Sequence, residues 1–196
     1  MQNMDIHDIV KKCNARLATI VNHDKWVGSK AIEVNLDTEF HFVIILDRIM
    51  EYFRQQHMFA GVSSNNIFWK LTQKPIRAML IPDEEKYITL INPKILKLAG
   101  EDVQSIEGCG SIPDGSYVVN RKPFVSVSGY TLQKDYIELE YGSVDYVPDK
   151  EPVFATYSNK EWIVQHEMDH LEGITIKDKG TLFDFNECTT RTSHNC

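Results

Sequence analysis

The residues with the clearest chemical potential lie in the stretch 165–170, Gln-His-Glu-Met-Asp-His, which contains the pattern H-E-x-x-H. Residues four apart share one face of a helix, so His166 and His170 can offer two imidazoles to one metal ion. Glu167 lies between them and is placed to handle a proton of metal-bound water. The alternative is a surface helix that carries two histidines by chance.

The sequence around this pattern has the start and stop signals of a helix. Ser158 and Glu161 have the spacing of a capping box, with Ser158 at the N-cap and Glu161 at N3. Gly173 stands where a left-handed residue would end the helix. These signals predict a helix between Ser158 and Gly173 and favour the metal site over the chance pattern.

A metal held by two histidines needs at least one more ligand, and no histidine follows at the spacing of the extended H-E-x-x-H-x-x-G-x-x-H motif. The strongest other candidate is Cys109, which lies between Gly108 and Gly110 in the segment E-G-C-G-S. A thiolate in a tight turn between glycines could approach a metal closely. A buried structural thiol is the alternative for Cys109.

The two motifs together, E-G-C-x-S followed by Q-H-E-x-D-H, resemble the peptide deformylase family over roughly residues 37–178. The resemblance implies one divalent metal held by Cys109, His166 and His170, with Fe²⁺ as the working ion and Zn²⁺ or Ni²⁺ as common replacements. It implies a hydrolase that removes the N-formyl group from the N-terminal methionine of newly made peptides and releases formate. Glu167 would be its general base and acid.

A third motif of the family, G-x-G-x-A-A-x-Q, is present in degraded form at residues 59–66. Gly61 is retained, but Phe59 replaces the first glycine and Asn66 replaces the glutamine. The resemblance implies that the Asn66 amide and the Gly110 backbone N–H help the metal to hold the oxyanion, although the Asn66 stem is one methylene shorter. A plain turn that links a helix to a strand is the alternative for this segment.

Further residues are expected to support the site through the same resemblance. Glu107 and Arg121 match a pair that forms a salt bridge behind the cysteine turn, with an unrelated pair as the alternative. Gln165 is expected to brace that turn, and Asp169 to orient the helix or a histidine.

The substrate pocket departs most from the family pattern. Trp162 precedes His166 by four residues and therefore faces the metal, at a place where the family tends to carry a smaller aliphatic residue. It would either narrow the methionine pocket or pack in the core. Gly110 also replaces an aliphatic residue. Two other functions therefore stay open: a deformylase-like metallohydrolase with shifted substrate preference, and a metal-binding homologue without turnover.

The remaining patterns predict an α+β fold, with antiparallel sheets packed around the central metal-binding H-E-x-x-H helix. Apolar spacing predicts two further helices, over 5–20 and from Asp37 or Thr38 to His57. Strands are predicted at 76–81, 87–91, 95–98, 124–128, 136–141 and 174–176. We expect one domain over residues 1–196, with 179–196 as a mobile tail.

Composition narrows the partners and the setting. The 196 residues are 42% hydrophobic, enough for one core, and the net charge of −7 predicts no nucleic-acid groove. Four cysteines without a paired framework suit a reducing compartment, and no apolar run approaches the roughly 20 residues that cross a bilayer. We therefore expect a cytoplasmic monomer acting on N-formylated peptides, with an organellar location and a transient ribosome contact left open.

Overall fold

The structure, a computed structural model, describes residues 4–20, 25–148 and 151–184, and every structural statement below concerns these residues. They contain four helices: α1 (Ile6–Cys13), α2 (Phe40–His57), α3 (Lys160–Leu171) and α4 (Ile176–Lys179). The strands are β1 (Arg16–Leu17), β2 (Val62–Ser63), β3 (Ile67–Phe68), β4 (Ala78–Asp83), β5 (Lys86–Ala99), β6 (Val103–Cys109), β7 (Ile112–Arg121), β8 (Phe124–Tyr130), β9 (Tyr136–Gly142), β10 (Val153–Phe154) and β11 (Thr181–Leu182).

These strands form three sheets. The largest has five strands in the order β2-β4-β5-β8-β9, the second has four in the order β10-β6-β7-β11, and β1 pairs with β3 alone. The ladders are antiparallel except for β10, which runs parallel to β6. The predicted α+β class with antiparallel sheets is confirmed.

Helix α3 lies against the five-stranded sheet. Its Val164, Met168 and Leu171 are spaced to share one helix face, and all three are buried. They pack against inward-facing side chains of the sheet, which are Met79, Ile81, Leu90, Val125 and Val127. Because the apolar face of α3 packs against this sheet, His166 and His170 point away from the sheet and towards β6.

The second core cluster is built around α2. This helix buries Leu46, Ile49 and Met50, while Arg54 and Glu51 form a half-buried ion pair one turn apart. The helix begins at Phe40, slightly later than predicted, and ends at His57, as predicted; the next residue, Met58, takes a left-handed conformation (φ 52°). The chain then enters the segment 59–66, which contains β2 and a 3₁₀ turn over Ser64–Asn66.

The ends of α3 differ in how well the sequence predicts them. Gly173 has φ 75° and follows the last turn, as predicted. The capping box at Ser158 is wrong, because the N-cap is Asn159 and no side chain caps the helix. The Asn159 amide oxygen instead accepts hydrogen bonds from the Thr156 backbone N–H at 3.0 Å and from its hydroxyl at 2.8 Å.

Four other corrections concern predicted elements elsewhere in the chain. The first helix stops at Cys13 because Asn14 turns left-handed (φ 47°) and the chain continues into β1. Two predicted strands, 87–91 and 95–98, are one strand, β5, in which Asn92 (φ 51°) causes a register shift.

The last two corrections lie beyond α3. The stretch 174–176 is not a strand, because Thr175 caps the short helix α4. The predicted mobile tail starts too early, since β11 pairs with β7 and the Phe183 N–H donates to the Ser116 carbonyl. Residues 185–196 lie outside the described residues. Among the helices that are described, none combines the length and the apolar character needed to cross a membrane.

Candidate metal centre

Cys109 is positioned by the hairpin that joins β6 to β7. The register of these strands shifts between Glu107 and Cys109, and such a bulge re-aims the side chains that follow it. Ser111, two residues after Cys109, is fully buried, and its carbonyl oxygen accepts a hydrogen bond from the Ile20 backbone N–H at 3.0 Å. The bond from Ile20 anchors the turn, and the thiol faces His170 on α3.

The thiol and the two imidazoles of α3 converge. The Cys109 Sγ atom lies 3.2 Å from His170 Nε2, and His170 Nε2 lies 3.2 Å from His166 Nε2. All three candidate ligand atoms lie within 4.8 Å of one another. They form a possible metal-binding group, as the sequence predicted. Thiolate and imidazole nitrogen are donors that Zn²⁺ and Fe²⁺ accept, so the donor set fits a divalent metal of this kind.

Glu107 fixes the orientation of His166. The His166 Nδ1–H group donates to Glu107 Oε2 at 2.9 Å, which turns the Nε2 edge of the ring towards the other two candidate ligands. Arg121, 1% exposed, donates two hydrogen bonds to Glu107, at 2.7 and 2.8 Å. The predicted salt bridge between Glu107 and Arg121 is present. Burial alone would raise the pKa of Glu107, but the bonds from Arg121 and His166 lower it to about 2.

The network continues away from the metal group. Arg121 also donates a hydrogen bond to Asp169. A second cation, Lys179 of α4, donates from Nζ to Asp169 Oδ1 at 2.8 Å. Of the two roles expected for Asp169, orienting the helix fits these contacts, because its carboxylate ties α3 to Arg121 of β7 and to Lys179 of α4. Orienting a histidine does not, because the carboxylate faces these two cations. His170 Nδ1 is buried and has no hydrogen-bond partner among the described residues.

Gln165 braces a different turn from the one expected. Its Oε1 atom accepts from the Lys122 backbone N–H at 3.1 Å, and its Nε2 group donates to the Lys122 carbonyl at 2.8 Å. Gln165 therefore ties α3 to the turn between β7 and β8, and the cysteine turn is held by Ser111 instead.

Glu167 is buried beside the metal group, with 4% of its surface exposed. Its Oε2 atom has no partner among the described residues. Burial raises the pKa of this carboxyl, and the charge of the two neighbouring imidazoles opposes the rise. Gly61 lies directly against it, since a Cβ at Gly61 would stand 2.9 Å from Glu167 Oε1 and 2.8 Å from Ile163 Cγ2. Gly61 is thus required for the close approach of α3 to β2.

Asn66 lies at the site, but its amide is partly engaged. Its Oδ1 atom accepts from the Ser63 backbone N–H and hydroxyl, both at 2.8 Å. Its Nδ2 group donates to the Ser111 hydroxyl at 2.9 Å. These bonds fix the short Asn66 side chain between the 59–66 segment and the cysteine turn, and they leave one of its two N–H groups uncommitted.

A cavity of about 400 Å³ adjoins these residues. Asn66, Gly110, Trp162 and Glu167 all line it, and so does Phe59. Trp162 is 2% exposed, and its Nε1–H group has no partner among the described residues.

The charges in the cluster favour a thiolate at Cys109. Burial alone would raise the pKa of this thiol, but the charge of His170 and hydrogen bonding with both imidazoles lower it well below its usual value. Burial alone would lower the pKa of His166, yet the bonds to Cys109 and Glu107 raise it well above the usual value. A metal requires the thiolate and would displace the imidazole proton on binding.

The structure adds residues that the sequence reasoning did not single out: Ser63, Ser111 and Lys179, and the ring of Phe59 as a wall of the cavity. Ser111 is part of the E-G-C-x-S motif and could have been found from it. Two departures from the family pattern could have indicated the contact of Phe59 with Gly110. Phe59 replaces a glycine, and Gly110 replaces an aliphatic residue. Lys179 gave no such signal.

Comparison with known proteins places these motifs in one family. The family model described as polypeptide deformylase matches residues 18–184. A peptide deformylase from Syntrophomonas wolfei is 37% identical over 105 residues, which cover 54% of this chain and 59% of the relative. One from Desulforudis audaxviator is 32% identical over 106 residues, with the same coverage. The chain thus matches under two thirds of the length of these curated relatives.

Solved structures share the fold at low sequence identity. Peptide deformylase from Thermotoga maritima has a TM-score of 0.65 at 21% identity, covering 85% of this chain and 97% of that one. A peptide deformylase from Synechococcus elongatus in complex with actinonin also has a TM-score of 0.65, at 24% identity, covering 89% and 82%.

Proposed function

Because the chain belongs to the polypeptide deformylase family, we propose that it is a metal-dependent hydrolase of N-formylated peptides. Its reaction would remove the formyl group from the N-terminal methionine of newly made peptides and release formate. The observation that carries this proposal is the convergence of Cys109, His166 and His170 beside the buried carboxylate of Glu167.

The metal ligands in this proposal are the Cys109 thiolate and the Nε2 atoms of His166 and His170. When bound, a divalent ion supplies a Lewis acid that lowers the pKa of water from about 15.7 towards about 7. We propose Fe²⁺ as the working ion because the resemblance to the family implies it, with Zn²⁺ or Ni²⁺ as replacements. One thiolate with two imidazoles is compatible with all three ions. Glu107 and Arg121 hold His166 in the tautomer that this role needs.

Glu167 carries the proton in this mechanism. Its Oε2 atom, which has no partner among the described residues, accepts a proton from the attacking water. The same carboxyl then delivers that proton to the leaving amine, so that the peptide departs with a neutral N-terminus. Its raised pKa brings the group closer to neutral pH, where a base can both accept and return a proton.

In this mechanism the oxyanion is held by N–H donors from two residues that line the same cavity. We assign this role to the Gly110 backbone N–H and to the Asn66 N–H that Ser111 leaves free. Losing one donor of this kind typically costs about 2.7–4 kcal/mol in the transition state.

A second candidate function is a deformylase-like hydrolase with shifted substrate preference. The observation that favours it is the aromatic lining of the cavity, where Trp162 and Phe59 both contribute walls. A homologue without turnover is the weaker alternative, because the proposed base, Glu167, is retained.

Formate release decides among these functions. Anaerobically purified, Fe²⁺-loaded protein would be assayed on formyl-Met-Ala and formyl-Ala-Ala, with the Glu167→Gln variant as the matched control. The proposal expects rapid formate release from formyl-Met-Ala by the parent protein alone. A clear preference for formyl-Ala-Ala would support the second function, and release no faster than that of the variant on either peptide would refute both.

The setting of the enzyme is part of the same proposal. We place it in the cytoplasm as a monomer that meets its substrates as nascent chains, through a transient contact with the ribosome at most. The net charge of −7 supports only a brief contact with a surface rich in phosphate.

A further inference from the structure

The ring of Phe59 occupies the place where Gly110 would carry a side chain. A Cβ built on Gly110 would lie 2.3 Å from Phe59 Cζ and 2.5 Å from Cε1, far closer than packed carbon atoms approach. Gly110 is not among the glycines with a left-handed backbone. Its lack of a side chain is therefore explained by the neighbouring ring and not by its own conformation.

Phe59 is held in this position by the end of α2. Its ring stacks on His57 at 5.1 Å between centroids with 14° between planes, and His57 stacks in turn on the buried Phe53 at 6.0 Å. The Phe59 backbone N–H donates to the Arg54 carbonyl at 3.0 Å. A movement of the ring away from Gly110 would disturb this stacking on His57.

Both residues line the cavity that also contains Cys109 and Glu167. At position 110 a larger residue would place its own side chain against the cavity. Here the Phe59 ring fills that space instead. We propose that Phe59 is a specificity-determining residue, whose ring sets the width of the cavity and favours substrates with a slender first side chain, such as methionine, over those with a ring. This inference rests on the proposed deformylase function.

The steric half of the inference is tested by melting temperature, without reference to activity. Gly110→Ala should lower Tm by about 3–10 °C, since overpacking a fixed contact is destabilising. In the Phe59→Ala background the same change should lower Tm by less than about 2 °C, because the ring is gone. Gly108→Ala is the matched control on the other side of Cys109, since a Cβ there would meet only the Ser116 hydroxyl at 4.0 Å.

The specificity half is tested on formyl-Met-Ala and formyl-Phe-Ala. Phe59→Ala should raise the ratio of kcat/KM for the phenylalanine peptide over the methionine peptide at least about 10-fold, the lower end of what apolar pocket differences supply. Phe59→Ala combined with Gly110→Leu should bring the ratio back to within about threefold of the parent value, because the leucine refills the space.

Each result has a defined meaning. If Gly110→Ala melts like Gly108→Ala, or if the peptide ratio is unchanged in Phe59→Ala, the assignment of Phe59 is overturned while the deformylase function stands. If the parent releases no formate from any formyl peptide, the proposed function and the specificity assignment both fall. Only a matching pattern in melting and in peptide ratio supports the inference.

Discussion

Replacing Arg121 with methionine tests the support of the metal centre most directly. The guanidinium is 1% exposed and neutralises the carboxylates of both Glu107 and Asp169. Methionine keeps most of the side-chain length but removes the charge and all hydrogen bonds. The buried Glu107 carboxylate would then keep only the bond from His166, and we expect the protein to lose stability and metal affinity together.

The magnitude follows from the pKa of Glu107. Its fall from 4.5 to about 2 in the folded protein corresponds to about 3 kcal/mol of stability at neutral pH. Breaking a buried ion pair by removing one partner typically costs about 3–5 kcal/mol, which agrees with this value. In a chain of this length the loss should lower Tm by about 6–20 °C. Because Glu107 orients His166, metal affinity should fall by about 10- to 100-fold.

The pH dependence of stability has a definite sign. The pKa of Glu107 is lower in the folded than in the unfolded protein, so its contribution is present above about pH 4.5 and is lost as the pH falls to about 2. The free energy of unfolding, measured by urea titration, should therefore differ most between parent and Arg121→Met above pH 4.5. The two proteins should converge as the pH approaches 2.

Arg54→Met is the matched control. Arg54 makes the same two-bond contact with Glu51, at 2.7 and 2.9 Å, but Glu51 is 37% exposed and the Arg54 guanidinium also lies over the Tyr87 ring. The half-exposed pair and the ring contact together should contribute about 1–2 kcal/mol, so this variant should melt above Arg121→Met. If Arg121→Met melted no lower than Arg54→Met, the buried network would not support the centre and our reasoning would be refuted.

Four further outcomes are expected. Glu167→Gln should keep its metal while formate release falls at least about 10²-fold, and equal turnover would remove Glu167 from the mechanism. Asn66→Ala should lower kcat and kcat/KM together, by about 10²–10³-fold, whereas a rise in KM alone would contradict its role as an oxyanion donor. Trp162→Phe should change the free energy of unfolding, measured by urea titration, by less than about 1 kcal/mol. The smaller ring loses packing contacts, but the change also removes an unpaired buried N–H group. A loss above about 3 kcal/mol would contradict this balance. Chelation should lower the Tm of the parent but not of Cys109→Ala, since the metal stabilises only the state that binds it, and an equal shift in both would argue against Cys109 as a ligand.

The parts of the fold that the sequence predicts are those with local signals. Helix α2, the hairpin of β8 and β9, and the left-handed Gly173 are each encoded by apolar spacing or by a single residue. Strands β6 and β7 gave no clear strand pattern, because their inward-facing positions include the polar Ser105, Glu107 and Arg121. The buried polar residues that support the site therefore interrupt the apolar alternation by which β6 and β7 could have been predicted.

The site divides in the same way. Cys109, His166 and His170 were predicted because fixed spacings and a family resemblance point to them. The bond of Asn66 to Ser111 and the contact of Phe59 with Gly110 depend on how distant segments meet, since Ser111 follows Asn66 by 45 positions in the sequence. Asp169 and Gln165 were correctly expected to matter, but their partners could not be deduced from a helix motif alone.

The separation of the metal ligands along the chain has a consequence for biosynthesis. Cys109 precedes His170 by 61 residues, and ribosomes add about 5–20 residues per second, so the thiol is made about 3–12 s before its last imidazole. In that interval β6 has no α3 to cover it, and the cysteine is an ordinary thiol that oxidants or stray metals could reach. Assembly of the centre must therefore wait until α3 is translated, so the thiol of every newly made molecule passes through a period without its two histidine neighbours.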